Sequence, residues 1–291
     1  MLGHDVVQEL LKRGYEVTGS GTKPDFSWKN GRPDCGYACL DITDREAVVR
    51  TLEREKPDAV IHCAAWNAVD LAEDEANRGE VMAVNALGTG YIAESCVKTD
   101  CKLIYISTDF VFEGSGEKPA SADETSFGPL NYYGMSKLEG EKKVSASMEK
   151  FYIVRTSWAY GVNGENFVKT MIKAGKKHDT VRVVNDQIAT PTYTRDLARL
   201  LADMAESDKY GFYNATNEGG FVSKYELVLE AYRQFGLDTK VIPVTTEEYG
   251  PVLAMRPKNG RMCKEKIKKQ GFLPLSDWRD ALNRYLAEET F

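Results

Sequence analysis

Tyr133 and Lys137, four residues apart, are the pair whose types and spacing could do acid-base chemistry. A free phenol titrates near about 10 and is a poor catalyst at neutral pH. An ammonium held beside it favours the phenolate and lowers that value, so the spacing predicts a phenol tuned by a cation. Of the fifteen tyrosines only Tyr133 has a lysine at that distance. Upstream, the apolar run Leu103-Ile104-Tyr105-Ile106 breaks off into Ser107-Thr108-Asp109. The Thr108 hydroxyl could hydrogen-bond a carbonyl oxygen while Tyr133 gives it a proton. A Tyr-x-x-x-Lys match by itself is often a surface accident; its place one loop downstream of that strand end argues for chemistry.

These groups need a strand and a helix to hold them. A short β-rich run ending in small hydroxyl residues reads as a buried parallel strand. Ligands collect at the carboxyl ends of such strands in open α/β sheets. The second segment runs on through Leu138-Glu139-Gly140-Glu141-Lys142-Lys143, so Tyr133 and Lys137 are predicted one turn apart on one helical face. Further apolar runs at Tyr15–Gly19, Pro57–Ala65 and Phe151–Thr156 read as strands, and His4–Gly14, with its apolar spacing and terminal glycine, reads as a helix. Val81, Val84, Leu87, Tyr91 and Ile92 form a helical stripe. The predicted class is α/β, a Rossmann-like doubly wound parallel sheet. Residues 1–156 form its nucleotide-binding part, and residues 157–291 a small C-terminal substrate lobe, interleaved so that some segments return to the sheet.

With 291 residues, 42% hydrophobic and 28% charged, the chain can bury a large core in one or two domains. A net charge of -6 argues against nucleic acid or an anionic membrane as the main partner. No apolar run approaches the ~20 residues of a membrane span, and no charged-then-apolar leader is visible, so the expected address is the cytoplasm. Cysteines at 35, 39, 63, 96, 101 and 263 are too sparse for a disulfide scaffold and read as free thiols. His4, His62 and His178 lack metal-ligand spacing.

The segments Ile106–Gly114 and Tyr133–Glu141 resemble those of extended short-chain dehydrogenase/reductases, most of all the dTDP-4-dehydrorhamnose reductase family. The resemblance extends over nearly the whole chain. It implies Thr108, Tyr133 and Lys137 as the catalytic set, with Asp109 beside the substrate. The implied reaction is NAD(P)H-dependent reduction of the 4-keto group of a nucleotide-linked deoxysugar, dTDP-4-dehydro-L-rhamnose to dTDP-L-rhamnose. The family usually has tyrosine after the Thr-Asp pair; Phe110 stands here, so any hydroxyl contact at that position is lost. Some relatives use magnesium at a dimer contact, which leaves magnesium and a homodimer open, with the metal ligands unmapped.

On the cofactor side, the resemblance makes Gly3 the last glycine of a Gly-x-x-Gly-x-x-Gly turn. The preceding strand and earlier glycines are not in the sequence, and we expect about eleven natural residues to lie upstream of an internal Met1, since a dinucleotide unit opens on a strand and a glycine turn. After Gly19, Ser20-Gly21-Thr22-Lys23 offers no carboxylate for a ribose 2′-hydroxyl, so either NADP or NAD fits. By resemblance Asp41 and Ile42 approach the adenine, Cys63-Ala64-Ala65 lets a flat cofactor lie on the backbone, and Asn85 supports the active site. In the lobe it gives Trp158 a place lining the sugar pocket, makes Asn166 a substrate-side landmark, and leaves Arg256 for the nucleotide diphosphate, which guanidinium pairs well. The plain local readings are Thr43 as a helix cap before Asp44–Arg54, Asn85 as a structural hydrogen-bonder, and Ser276 or Asp277 capping a last helix. Two other functions share this fold. One is a noncatalytic regulator resembling that of methionine adenosyltransferase, which the intact Thr108, Tyr133 and Lys137 oppose. The other is a sugar-nucleotide epimerase or dehydratase; a dehydratase would carry more acid after Thr108 than Asp109 alone.

Overall fold

The structure is a computed structural model that describes residues 1–25 and 33–291. The alternation read from the sequence resolves into α1 (Leu2–Lys12), β1 (Thr18–Gly21), β2 (Gly36–Cys39), α2 (Arg45–Glu55), β3 (Ala59–His62), α3 (Glu75–Met82), α4 (Thr89–Thr99), β4 (Lys102–Thr108), α5 (Tyr132–Ser147) and β5 (Phe151–Thr156). There follow β6 (Ala159–Tyr160), α6 (Phe167–Gly175), β7 (Thr180–Val184), β8 (Ile188–Ala189), β9 (Thr192–Tyr193), α7 (Thr194–Ala205), β10 (Gly211–Asn214), β11 (Val222–Ser223), α8 (Lys224–Phe235) and β12 (Lys240–Val244). The helix Trp278–Glu288 comes last.

Four parallel strands lie in the order β10-β5-β4-β3, with Thr108 opposite Thr156 and His62 opposite Tyr105. β1 and β2 form a separate parallel pair that, among the described residues, shares no ladder with these four. The strand side chains explain why both faces are covered. Ile104, Tyr152 and Val154 pack against Val6 of α1 and Leu197, Leu200 and Leu201 of α7. Leu103, Tyr105 and Ile153, one residue out of phase, pack on the other face against α2, α4 and Val144 of α5. A strand buried on both faces has no polar phase, which is why the run reads as continuously apolar. Each such side chain contributes about 1.5–3 kcal/mol of transfer free energy.

A second core gathers around the parallel pair β7–β12, with Val168 and Ile172 of α6, Leu227 and Tyr232 of α8, and Trp278, Leu282 and Tyr285 of the last helix. α7 and β10, although late in the chain, belong to the first core.

Two cap readings are settled by the geometry. Asp44, not Thr43, caps α2 by accepting from the Ala47 N–H at 2.9 Å. Thr43 instead turns its hydroxyl and N–H onto Asp41, at 2.7 and 2.9 Å, because a carboxylate two residues back is within reach of both. Asp277 caps the last helix through the Arg279 N–H.

Candidate active site

β4 delivers Thr108 and Asp109 to the carboxyl edge of the sheet, where the chain leaves in a single 3₁₀ turn, Asp109–Val111. α5 brings the phenol and the ammonium to the same edge. Its N-cap, Asn131, accepts from the Gly134 N–H at 2.8 Å and donates to the Met255 carbonyl at 2.7 Å, so the first turn is tied to the C-terminal lobe. Gly134 lies against the Phe110 carbonyl, where a Cβ would collide. Only a glycine there lets the helix start this close to the strand end. Tyr133 and Lys137 then fall one turn apart, as the spacing predicts.

The Thr108 hydroxyl interacts with the Tyr133 phenol, accepts from the Phe110 N–H at 3.2 Å and donates to Asp109 Oδ1 at 3.1 Å. The Phe110 ring meets the Tyr133 ring edge-on at 6.0 Å. Asp109 Oδ2 is buried with no hydrogen-bond partner among the described residues. Burial pushes the Asp109 carboxyl up to about 7, against the pull of the Thr108 hydroxyl.

The expected lowering of the phenol by Lys137 is not what this geometry gives. Burial raises Tyr133, the Asp109 charge raises it further, and only the Thr108 contact acts downward. Lys137 is itself discharged by its surroundings: burial lowers it to about 7, with Glu141 and Cys63 acting against that. Its ammonium donates to the Ile106 carbonyl at 2.7 Å and stands 4.1 Å from the Tyr105 ring centre. A cation half neutralised by desolvation cannot pull strongly on a neighbouring phenol.

Behind these groups, Glu141 accepts from the Ser107 hydroxyl at 2.5 Å and takes a two-point contact from the fully buried Arg155, at 2.9 and 2.7 Å. The charged run that marks α5 in sequence is therefore partly internal. Asn85 sits in a π-helical segment, Ala83–Gly88. Its side chain accepts from the Trp66 N–H at 2.8 Å and donates to the Trp66 carbonyl and the Ser136 hydroxyl. It locks the segment after β3 to α5, so it positions the site and has its polar atoms committed inside the protein. Unusual helical turns of this kind recur at functional sites.

Cys63, Ala64 and Ala65 follow β3 directly, and Gly3, inside α1, faces Cys63 with room for a side-chain methyl between them. Asp41 is exposed and holds Thr43, while Ile42 is buried under Gly88. No carboxylate follows β1 through Pro24. These small strand-end residues leave the backbone open to a flat dinucleotide lying across the parallel edge. Among the described residues no group of three His, Cys, Asp or Glu side chains is placed to hold a metal ion.

The lobe residues separate. Trp158 adopts φ 44°, the left-handed region that a bulky residue rarely enters. Asn166 is committed to structure: it caps α6 through the Lys169 N–H at 2.9 Å and donates to the Gly161 carbonyl. Arg256 donates both arms to Asp70, at 2.7 and 2.5 Å, on the wall of a pocket of about 270 Å³. Sequence reasoning missed Lys224, which lines the same pocket. A signal was present, since a lysine immediately after the N-cap Ser223 opposes the helix dipole.

A parallel sheet wrapped on both faces, with a threonine at the end of one strand beside a tyrosine and lysine one helical turn apart, defines an extended short-chain dehydrogenase/reductase. Within that class the chain belongs to the family of the RmlD substrate binding domain, whose sequence profile matches residues 1–291. It is 38% identical over 288 residues to a dTDP-4-dehydrorhamnose reductase of Streptomyces griseus, covering 97% of this chain and 88% of the relative. The spore coat polysaccharide biosynthesis protein SpsK of Bacillus subtilis (strain 168) is 34% identical over 289 residues, 99% of this chain and 94% of SpsK. Among solved structures, a dTDP-4-dehydrorhamnose reductase of Bacillus anthracis str. Ames in complex with NADP superposes with a TM-score of 0.83 at 35% identity, covering 90% of this chain and 92% of that one.

Proposed function

We propose that this protein reduces the 4-keto group of a dTDP-linked 6-deoxysugar, with dTDP-4-dehydro-L-rhamnose as substrate and NADPH or NADH as the source of hydride. The observation that carries this reading is the contact of Thr108 with Tyr133 at the carboxyl edge of β4, with Lys137 one turn further along α5 and bonded to the Ile106 carbonyl of that strand. It is supported by the names of the relatives that share the family.

The nicotinamide supplies hydride to the C4 carbon; what the chain must do is hold the carbonyl oxygen and deliver a proton to it. Thr108 has one hydroxyl proton, now directed to Asp109, and turning it onto the carbonyl orients the keto group. Tyr133 is kept protonated by burial, which is the state a proton donor needs. An alkoxide is a far stronger base than a phenolate, so the transfer runs downhill even from a raised phenol. Lys137, hydrogen-bonded to Ile106 and lowered to about 7 by burial, returns a proton and holds the nicotinamide ribose in this reading. Donors fixed before the charge appears stabilise it without reorganisation. The missing 2′-hydroxyl acid after β1 favours NADPH over NADH.

The test is coenzyme oxidation by the purified protein with dTDP-4-dehydro-L-rhamnose. Tyr133→Phe is expected to lower kcat by about 10²–10⁴-fold, with coenzyme affinity changed only slightly. Equal turnover in the variant would overturn the assignment of the proton donor, and no turnover in the parent would overturn the function.

A further inference from the structure

Arg256, the cation first expected to meet an anionic substrate, already spends its fork on Asp70. Lys224 does not: its ammonium makes no hydrogen bond and no ion pair with any described residue. It is half-buried, standing 5.7 Å from the Trp158 ring centre and 5.6 Å from that of Phe167. An ammonium on a pocket wall with no carboxylate bonded to it is open to an incoming anion. Its place at the positive end of α8 adds to the local positive charge. The pocket it lines also carries Arg182 and Arg256 against the single carboxylate of Asp70, which leaves an excess of positive charge. Lys224 lies close enough to Asp109 of the reaction site, as well as to Asp70 and Arg256 of the pocket, for all three charges to act on it.

We propose that Lys224 binds the diphosphate of the nucleotide-linked substrate, with the Asp70–Arg256 pair as the rigid wall that holds the pocket's shape. This rests on the nucleotide-sugar reading above and adds the residue that recognises the anion. An anion completes what the fold leaves open, and the reach from Asp109 to Asp70 lets the diphosphate sit in the pocket while the sugar meets Thr108 and Tyr133. Burial and the Arg256 charge lower Lys224 to about 8, with Asp109 and Asp70 acting against them. A bound dianion favours the charged form, so binding near that pH takes up a proton, and affinity declines as pH rises further.

The experiment is titration calorimetry of the full chain with dTDP and with dTMP. A charge-assisted contact of about 1.5–3 kcal/mol corresponds to a loss of about 10–150-fold. Lys224→Met is expected to weaken dTDP by that factor and to lose most of the preference for dTDP over dTMP, while Lys224→Arg stays within a few fold of the parent. Should Lys224→Met fail to fold, proton uptake on dTDP binding to the parent near pH 8, measured in buffers of different ionisation enthalpy, reads the same group. Parent-like dTDP binding by Lys224→Met, or no proton uptake, overturns the role of Lys224 alone. If the parent binds no dTDP, the nucleotide-sugar reading falls with it.

Discussion

Asp109 shows how one residue can trade stability for function. Its carboxyl is enclosed, one oxygen held by the Thr108 hydroxyl and the other without a partner among the described residues. Because burial raises it to about 7 in the folded chain, the folded state binds its proton more tightly than the unfolded state does. The stabilising contribution is complete below the ordinary carboxylate range and is lost as pH rises through about 7. Asp109→Asn is therefore expected to be more stable than the parent above neutrality, by on the order of 1–3 kcal/mol, with the difference closing as pH falls. Denaturant melts of both proteins across pH check this, and a difference that grows on acidification would contradict it.

At the scale of the element, the site depends on how closely α5 can approach β4. Gly140 lies against the Tyr105 hydroxyl and the Asn85 carbonyl, with no room for a Cβ. Two effects compete on replacing it with alanine. Helix propensity favours alanine by about 1 kcal/mol, while overpacking against a backbone carbonyl costs about 1–3 kcal/mol or more. The Asn85 carbonyl belongs to the π-helical segment and receives the Thr89 and Tyr105 hydroxyls, so it cannot yield cheaply. The clash wins. Gly140→Ala is expected to lower Tm by up to about 8 °C, given roughly 2–4 °C per kcal/mol in a chain this size, and to lower kcat as Tyr133 shifts. An unchanged or raised Tm in calorimetry would show that α5 has slack.

For the whole molecule, two cores meet at the edge where the strands end, one built on the four-stranded sheet and one on β7–β12. Ligands that bridge this edge should stabilise both. A coenzyme at about a hundred times its Kd adds about 2.7 kcal/mol, which predicts a Tm rise of about 5–10 °C, larger for NADP than for NAD. Thermal shift with each coenzyme checks it. No shift with either would count against dinucleotide use by this chain, and a larger shift with NAD would reverse the preference.

The sequence by itself determined the strand at Leu103, its end in small hydroxyls, and the helix that carries Tyr133 and Lys137 one turn apart. Each is a local or periodic property: a buried two-faced strand, a spacing of four, a strand end in small hydroxyls. It did not determine the direction in which the phenol titrates, because that depends on how completely the groups are enclosed, and enclosure is a property of distant elements brought together. Nor did it show that Arg256 is taken by Asp70, that Asn166 is spent as a cap, or that Lys224 makes no hydrogen bond or ion pair among the described residues. The residues of those first and last relations stand far apart in the chain, at 70 and 256 and at 109 and 224, and only tertiary packing decides which charges meet and which are left facing a pocket.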